Sequence, residues 1–266
     1  MADITAKDVQ ALRKLTGAGI LAARNALVET DGDLEKAAVR LREQGLAGAS
    51  KRSDRERSEG AVSVVVTGEG RLGAVVSLEC ETDFVAKSAD FVRLVDALAE
   101  SVATNGEDVD AELSNEIDEL KVTLKENIDV GRKVRFEAIE SGVLGSYLHV
   151  QNGRGVNGIL VELTGGSAEL AHDIAVHIAF ARPEYLSVAD VPSELIEAER
   201  ETIATIARNE GKPAAALDKI VEGRLQGWIK ERVLLEQPYA RDDKMTIKQL
   251  LGAAELKRFA QVVVGA

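Results

Sequence analysis

Two glycine-rich runs are the first candidates for chemistry, because each matches the dinucleotide-binding pattern G-x-G-x-x-G. The runs are GEGRLG at 68–73 and GRGVNG at 153–158. Nucleotide binding through this pattern needs glycines that open a helix, whose N-terminal amides then face the pyrophosphate. Here each run is followed by an apolar stretch that predicts a strand, and positive φ in a hairpin turn explains the glycines more simply. The sequence therefore predicts two β-hairpins and disfavours nucleotide binding by this chain.

Cysteine and histidine give a second set of candidates. Cys80 is the only cysteine, so it cannot form an internal disulfide. A thiol of this kind could pair with His149, His172 or His177 as nucleophile and base. Cys80 ends an alternating strand, however, and core packing explains a small apolar residue there better.

Metal and cofactor sites are not indicated either. His172 and His177 lie five apart, off the i, i+4 spacing that places two imidazoles on one helical face for a metal. The sequence also lacks a G-x-x-x-x-G-K-[ST] phosphate loop and a G-x-S-x-G elbow. We therefore predict a protein that is not an enzyme and that uses no cofactor.

Composition limits the class of partner. The chain has 266 residues, 45% of them hydrophobic, as expected for a folded globular protein. Its formal net charge of −12 disfavours a nucleic-acid-binding role, since phosphate contacts need clustered Lys and Arg. No apolar run reaches the roughly 18 residues of a membrane span, and the first residues do not resemble a signal peptide. We expect a cytoplasmic protein whose partner is neither nucleic acid nor membrane.

The first 47 residues predict a bundle of three short helices. Thr5 and Asp8 resemble a capping pair, a second helix covers about 20–29, and the third helix stops near Gly45. A bundle of this size has a modest core, which favours a docking module over an active site. Residues 48–60 mix basic and acidic side chains, which favours a solvated linker or a helix extension over a nucleic-acid patch.

A β-hairpin followed by a helix is predicted twice, in an α+β core. The first copy has strands at 61–67 and 72–80 and a helix over about 82–103, and the second has strands at 145–151 and 156–164 and a helix over about 167–181. The glycines of the two runs map onto each other with one offset of 85 residues. We infer an internal duplication, with an N-terminal subdomain at 61–140 and a C-terminal subdomain at 141–266.

The remaining segments add helices, one strand and a final apolar segment. Residues 114–128 predict a helix and 133–139 a strand between the two copies. Two charged helices over about 194–231 predict an antiparallel helical hairpin inserted in the second subdomain. Its role stays open between packing on the core and a protruding arm for a partner or for self-association. The C-terminal module, at about 237–266, ends in an apolar segment that could return to the sheet.

Comparison of the two copies shows which residues the fold does not require. Thr82 corresponds to Ser167, and both residues suit the N-cap of the helix that follows each hairpin. Asp83-Phe84 in the first copy corresponds to Ala168-Glu169 in the second. An acid and an aromatic residue at this helix tip are therefore optional for the fold.

Phe84 has two interpretations. Helical spacing would place it with Phe91 and Val95 on the buried face of one long helix. Alternatively, only 3% of the chain is aromatic, and an exposed aromatic residue beside an acid is a typical anchor for a pocket on another protein. The spacing alone leaves both open.

Over nearly its whole length the sequence resembles the elongation factor Ts family. The resemblance lies in LRKLTGAG (12–19), NAL (25–27), GD (32–33), LREQG (41–45), EG (59–60), ETDFVAK (81–87), HIA (177–179), RPEYL (182–186) and LLEQPY (234–239). Two places depart from the family pattern. Residues 21–24 lack the usual acid and lysine, which bears on the N-terminal docking surface, and Phe180 stands where a small residue is usual.

This resemblance implies a ubiquitin-associated-like N-terminal domain and a guanine nucleotide exchange factor of translation elongation. It implies that the N-terminal bundle docks on the GTPase domain of elongation factor Tu. It further implies that Thr82, Asp83, Phe84 and Val85 intrude near the magnesium site of that protein, with Phe84 in a pocket between two helices. His177 is similar to a family histidine near the phosphate-binding region.

Two points stay open at this stage. The chain could form a homodimer or a two-plus-two complex with the partner. The main alternative function is a binding adaptor that tethers partners without exchange activity.

Overall fold

Residues 4–108 and 111–265 are described by the computed structural model, without the side chains of Leu46 and Ala47. The first three residues of the predicted N-terminal bundle and the last residue of the C-terminal module lie outside this description. In chain order the elements are α1 (Ala6–Thr16), α2 (Ile20–Glu29), α3 (Leu34–Ser50), β1 (Glu59–Thr67), β2 (Leu72–Cys80), α4 (Asp83–Ala86), α5 (Ala89–Asn105), α6 (Ala111–Leu124), β3 (Asp129–Glu137), β4 (Gly142–Gln151), β5 (Arg154–Thr164), α7 (Ala168–Ala181), α8 (Ser193–Asn209), α9 (Leu217–Arg232), β6 (Pro238–Tyr239), β7 (Asp242–Thr246), α10 (Ile247–Leu251) and β8 (Glu255–Val263).

The N-terminal bundle forms as the sequence predicts, with a core that includes Leu12, Leu27 and Leu41. Thr5 and Asp8 make a capping box at α1: the Asp8 amide donates to Thr5 Oγ1, and the Thr5 amide donates to Asp8 Oδ2. Helix α2 has the predicted bounds. The bundle is thus defined largely by local capping and apolar spacing.

Helix α3 shows that the predicted stop near Gly45 was wrong, because the helix continues to Ser50. Gly45 lies inside α3, where this helix packs against α6. A Cβ atom at position 45 would stand 2.5 Å from Val122 Cγ1, so the glycine allows close approach of two helices and does not end one. Nearby, Arg42 Nη2 donates to Asn115 Oδ1 across the same contact at 2.9 Å.

Two three-stranded antiparallel sheets form the core of this α+β fold, in the orders β1-β2-β3 and β4-β5-β8. Both sheets have one plan: a hairpin, then a helix packed on it (α5 or α7), then a third strand that pairs with the second strand of the hairpin. The final apolar segment returns to the sheet as expected, since β8 pairs with β5. The division of the chain at residues 47, 60 and 140 stays a prediction.

The glycine runs lie in and beside the hairpin turns, as predicted. In the second hairpin the turn contains only Asn152 and Gly153, both with positive φ (54° and 79°), which is the pattern of a two-residue type I′ turn. The four-residue turn predicted there was therefore too long, because Arg154 already belongs to β5.

The last glycine of each run serves the packing of one sheet on the other. A Cβ atom at Gly158 would lie 2.7 Å from Val62 Cγ1 and 2.8 Å from Val75 Cγ2, and both valines are buried between the sheets. At the equivalent Gly73, a Cβ atom would lie 2.9 Å from Leu160 Cδ1. Each glycine thus lets the opposite sheet approach, which accounts for both glycines without a nucleotide.

The predicted long helix at 82–103 was wrong, because α4 ends at Ala86 and α5 begins at Ala89. Lys87 closes α4, and Ser88 is extended (φ −66°, ψ 144°) as the N-cap residue of α5. The helical spacing that links Phe84 to Phe91 is interrupted by these two residues. Phe84 therefore does not share a helix face with Phe91.

The antiparallel helical hairpin predicted at 194–231 is formed by α8 and α9, which we call the arm. Its core includes Ile203, Val221 and Leu225. The base of the arm is closed, since the amides of Glu184 and Tyr185 donate to Arg232 O at 2.8 and 3.1 Å. The chain thus leaves the core and returns to it at the same place.

We predict that Gly158→Ala destabilises the fold while Gly223→Ala does not. The new methyl group at 158 would overlap two stiff, buried valines, at a cost of about 1–3 kcal/mol. Gly223 lies within α9 with open space around it, so alanine should be neutral or stabilising by up to about 1 kcal/mol. Urea unfolding followed by circular dichroism measures both. An unaffected Gly158→Ala variant would contradict the packing role of this glycine.

Candidate partner-binding site

The four predicted residues Thr82, Asp83, Phe84 and Val85 form the N-cap and the first turn of α4, which we call the tip. Thr82 caps α4, since the Val85 amide donates to Thr82 Oγ1 at 3.4 Å. In the second copy the Leu170 amide donates to Ser167 Oγ at 3.2 Å. The prediction of a shared N-cap is therefore confirmed at both positions.

Glu126 binds Glu81 and Thr82, where the chain enters the tip. Its Oε2 accepts from the amides of Glu81 and Thr82, each at 3.1 Å, and its Oε1 accepts from Thr82 Oγ1 at 2.5 Å. Glu126 follows the end of α6 by two residues. One carboxylate thus satisfies three donors and fixes the approach to α4.

Asn127 extends the same attachment to the segment after the N-terminal bundle. The Asn127 amide donates to Glu81 Oε1 at 2.7 Å, and its side-chain Nδ2 donates to Ser53 O and Arg55 O at 3.0 and 2.7 Å. This fixes the position of 53–55, within the predicted 48–60 linker, relative to the tip. Sequence reasoning missed Glu126 and Asn127, because nothing local marks a residue whose partners lie more than 40 positions away.

Phe84 is the exposed member of the tip. Its side chain is 83% exposed, whereas Val85 is 9% exposed and packs against the core with Ala86. Phe91 and Val95 are buried in the same core without Phe84. Of the two interpretations that the spacing left open, the structure supports exposure.

Asp83 stands beside Phe84 and is ionised at neutral pH. Lys87 Nζ donates to Asp83 Oδ2 one helical turn away. This hydrogen bond lowers the pKa of Asp83, more than partial desolvation raises it, and the positive charges of Lys87 and Arg154 lower the pKa further. The tip thus presents a negative charge next to an exposed aromatic ring.

Cys80 has the structural role that the sequence favours. It is fully buried, and its Sγ donates to Thr82 O at 3.2 Å. Burial, together with the charge of Glu126, raises the pKa of the thiol to about 12. A thiol that stays protonated at neutral pH is not a nucleophile.

His177 lies inside the protein, 2% exposed on α7. The Ala240 amide donates to its Nδ1 at 3.2 Å, so the ring proton is on Nε2, which donates to Gln237 Oε1 at 2.9 Å. Burial lowers the pKa of His177, and the hydrogen bond with Gln237 opposes this only in part. Both ring nitrogens are used within the chain, so the structure does not place His177 on the surface beside the tip.

A second apolar surface lies on the N-terminal bundle, at the junction of α1 and α2. Leu15, Ile20 and Leu21 are each more than 60% exposed. We call these three residues the α1–α2 patch. An exposed apolar cluster of this kind is typical of a protein contact site.

Residues 4–108 and 111–265 contain neither a metal-binding cluster nor a membrane-spanning helix. Within these ranges no group of three or more His, Cys, Asp or Glu side chains could hold a metal ion. In the same part of the chain, no helix has the length and apolar character needed to cross a membrane.

The fold and the site together define a protein that presents a fixed, exposed aromatic tip and a separate apolar patch, both suited to contact with another protein. A sequence model of a family described as "Elongation factor TS" matches residues 81–266. The chain therefore belongs to the elongation factor Ts family, and it is a factor of the elongation phase of protein biosynthesis.

Full-length relatives agree with this family. The chain is 43% identical to a protein named elongation factor Ts from Streptomyces avermitilis, with 100% of both chains covered. It is 44% identical to a protein of the same name from Renibacterium salmoninarum, again over 100% of both chains. A third, from Mycobacterium ulcerans, is 43% identical over 100% of this chain and 99% of its own.

We predict that Glu126→Ala loosens the tip. The amides of Glu81 and Thr82 would lose their acceptor, which costs about 1–3 kcal/mol in the free energy of unfolding. Amide hydrogen exchange at these two positions should accelerate. Glu119→Ala, an exposed glutamate on α6, is the matched control and should change stability by less than about 0.5 kcal/mol. Equal exchange rates in the two variants would refute the role of Glu126.

We also predict that His177 makes stability depend on pH. Its pKa is lower in the folded state than the roughly 6.5 of the unfolded state, so the unfolded state binds more protons as pH falls below that value. Stability due to this residue should be fully present above about pH 7 and fall by at most about 1.4 kcal/mol per pH unit below pH 6.5. Urea unfolding of the wild type and of His177→Gln at pH 7.5, 6.5 and 5.5 measures this. An equal slope in both proteins would contradict the prediction.

Proposed function

We propose that the chain is a guanine nucleotide exchange factor for elongation factor Tu, acting in the cytoplasm. It binds the GDP-bound form, disturbs the magnesium site with the tip and promotes release of GDP, so that GTP can bind. The observation that carries the proposal is the 83% exposure of Phe84 on a turn fixed by Glu126. Membership of the elongation factor Ts family supplies the identity of the partner.

The mechanism needs no covalent step. A magnesium ion joins the nucleotide phosphates to the GTPase and neutralises part of their charge. Intrusion of a tip that disturbs this ion leaves the phosphates less neutralised, so GDP binds more weakly. In the proposed complex Phe84 enters an apolar pocket of the GTPase, and Asp83 lies nearer to the magnesium site as a negative charge. Thr82 and Val85 support these two side chains from the N-cap and from the core.

The rigidity of the tip contributes to this mechanism. Phe84 stands on backbone that is held by Thr82, by Glu126 and by the burial of Val85. A side chain on a fixed backbone loses less conformational entropy when it binds than one on a free loop. More of the interaction energy of the aromatic ring is then left for displacing the nucleotide.

Coupling between the two ligands of the GTPase is reciprocal. If the exchange factor weakens the binding of GDP to the GTPase by a given ratio, GDP weakens the binding of the exchange factor by the same ratio. Incoming GTP therefore expels the exchange factor. Burial of one phenylalanine is worth about 1.5–3 kcal/mol, or one to two decades in an equilibrium constant, so Phe84 supplies part of the coupling and other contacts supply the rest.

The N-terminal bundle supplies one such contact in this proposal. The α1–α2 patch is apolar and exposed, so it can dock on the GTPase domain of elongation factor Tu. Packing of α3 on α6, close to Glu126 and Asn127, holds the patch and the tip in one arrangement. Leu21, from the segment 21–24 that departs from the family pattern, belongs to this patch, whereas Ala23 is buried in the core of the bundle.

We predict that Phe84→Ala and Asp83→Ala both impair exchange. Release of a fluorescent GDP analogue from elongation factor Tu should slow about 10- to 100-fold for Phe84→Ala, because its pocket contact is lost. Asp83→Ala should slow release as well, since the charge near the magnesium site is removed. Stopped-flow fluorescence measures the rates, and circular dichroism checks that folding is intact.

Two controls separate the tip from its scaffold. Glu169→Ala changes the position in the second copy that corresponds to Phe84, and it should exchange at the wild-type rate. Lys87→Ala removes the ion pair of Asp83 but keeps the carboxylate, so it should impair exchange less than Asp83→Ala. Wild-type rates in both tip variants would refute the site, and failure of the wild-type chain to accelerate release would favour the adaptor alternative.

A further inference from the structure

Phe180 is a second exposed phenylalanine, at the C-terminal end of α7. Its side chain is 80% exposed, and of the five phenylalanines of the chain only Phe84 is comparably open. Phe180 is not an isolated apolar side chain. It lines an open groove of about 700 Å³ in which the apolar Tyr147, Val176 and Val263 are among the neighbouring residues, together with the polar His149, Gln151, Asn157 and Arg182.

The helix end that carries Phe180 is held from two sides. Asn157 Nδ2, from β5, donates to Ala179 O at 3.2 Å. Gln237 Nε2 donates to Glu231 O at 2.9 Å and approaches Ala181 O at 3.5 Å. The same Gln237 accepts from His177 Nε2, one turn before Phe180. An aromatic side chain on such a fixed helix end is preorganised for contact.

Phe180 and the tip lie at the same end of the core. Arg154, the first residue of β5, donates to Gly60 O at 2.7 Å and is close enough to Asp83 to lower its pKa. Three residues further along β5, about 10 Å, Asn157 holds the end of α7 that precedes Phe180. The first residues of β5 therefore lie between the tip, which carries Phe84, and the end of α7, which carries Phe180.

We propose that Phe180 is a second aromatic anchor for the GTPase that Phe84 engages, and that His177 and Gln237 position it. This inference rests on the proposed exchange function. The groove at Phe180 continues the interface beyond the tip and receives an apolar segment of the GTPase. His177 acts through the helix end and makes no direct contact, which agrees with its burial.

The test measures GDP release by the full chain over a range of its concentrations, with GDP-bound elongation factor Tu carrying a fluorescent analogue. Phe180→Ala should raise the half-saturating concentration about tenfold or more and leave the maximal rate unchanged. Phe84→Ala should instead lower the maximal rate. Phe180→Trp, which restores an aromatic ring, should recover the wild-type half-saturating concentration.

A matched control and a double variant complete the design. Ile139→Ala removes an exposed apolar side chain just after β3, at the opposite end of the core, and should behave as wild type. His177→Ala should raise the half-saturating concentration, and adding it to Phe180→Ala should have no further effect, because both act on one contact. Additive effects would contradict the positioning role.

Three outcomes would overturn the inference. A wild-type half-saturating concentration in Phe180→Ala overturns it while the exchange function stands. If the wild-type chain accelerates no release, the exchange function fails, and calorimetric affinity for nucleotide-free elongation factor Tu then decides the inference: an equal Kd in wild type and Phe180→Ala overturns it. A shift of Phe180→Ala from dimer to monomer in sedimentation, with exchange unchanged, assigns the groove to a second copy of this chain.

Discussion

The three hydrogen bonds accepted by the Glu126 carboxylate are the constraint on which the candidate site depends. The carboxylate accepts hydrogen bonds from two backbone amides and one hydroxyl, and this fixes the conformation of the chain before α4. Any movement would leave partly buried donors without an acceptor. The neighbouring Asn127 attaches the segment behind the N-terminal bundle to the same point. Two consecutive residues after α6 thereby join parts of the chain that are distant in sequence. These contacts give the tip a fixed orientation relative to the segment that follows the N-terminal bundle.

Differences between the two hairpin–helix copies explain why this candidate site occurs only in the first. Both copies build a hairpin, a capped helix and a third strand, and their sheets pack face to face through Gly73 and Gly158. In the second copy Ser167 starts α7, a continuous helix with Leu170 packed on the core, and a glutamate follows where Phe84 stands in the first. In the first copy the helix is broken after one turn, which separates Phe84 from the buried face. The same framework thus provides stability in one half and an exposed contact in the other.

Local patterns predicted most of the fold, and long-range contacts account for the errors. Period-two stretches and turn glycines located both hairpins, and a cap and apolar spacing located α1 and α7, because these signals lie within a few residues of the elements they define. Gly45 was misread as a helix end because Val122, which packs on it, is distant in sequence. That Thr82, Asp83, Phe84 and Val85 form a binding site stays a prediction, and the residues that support them could not be predicted locally, since Glu126 and Gln237 act on partners 44 and 60 positions away. The exposure of Phe84 was undecidable from spacing, because the break at Lys87 and Ser88 lies inside an otherwise continuous apolar pattern.

The closed base of the arm has a consequence for how this architecture can vary. Strand β8 finds its place by pairing with β5, and the chain between α7 and β8 departs and returns at Tyr185 and Val233, which form a parallel bridge. The segment between these two residues forms a closed loop, and the entropic cost of closing a loop grows only with the logarithm of its length. The second subdomain can therefore accept arms of different length, or a short turn in place of the arm, without a shift in the register of its sheet. The arm can therefore change in length while its base, and the contact of Gln237 with Glu231 O beside it, stays in place.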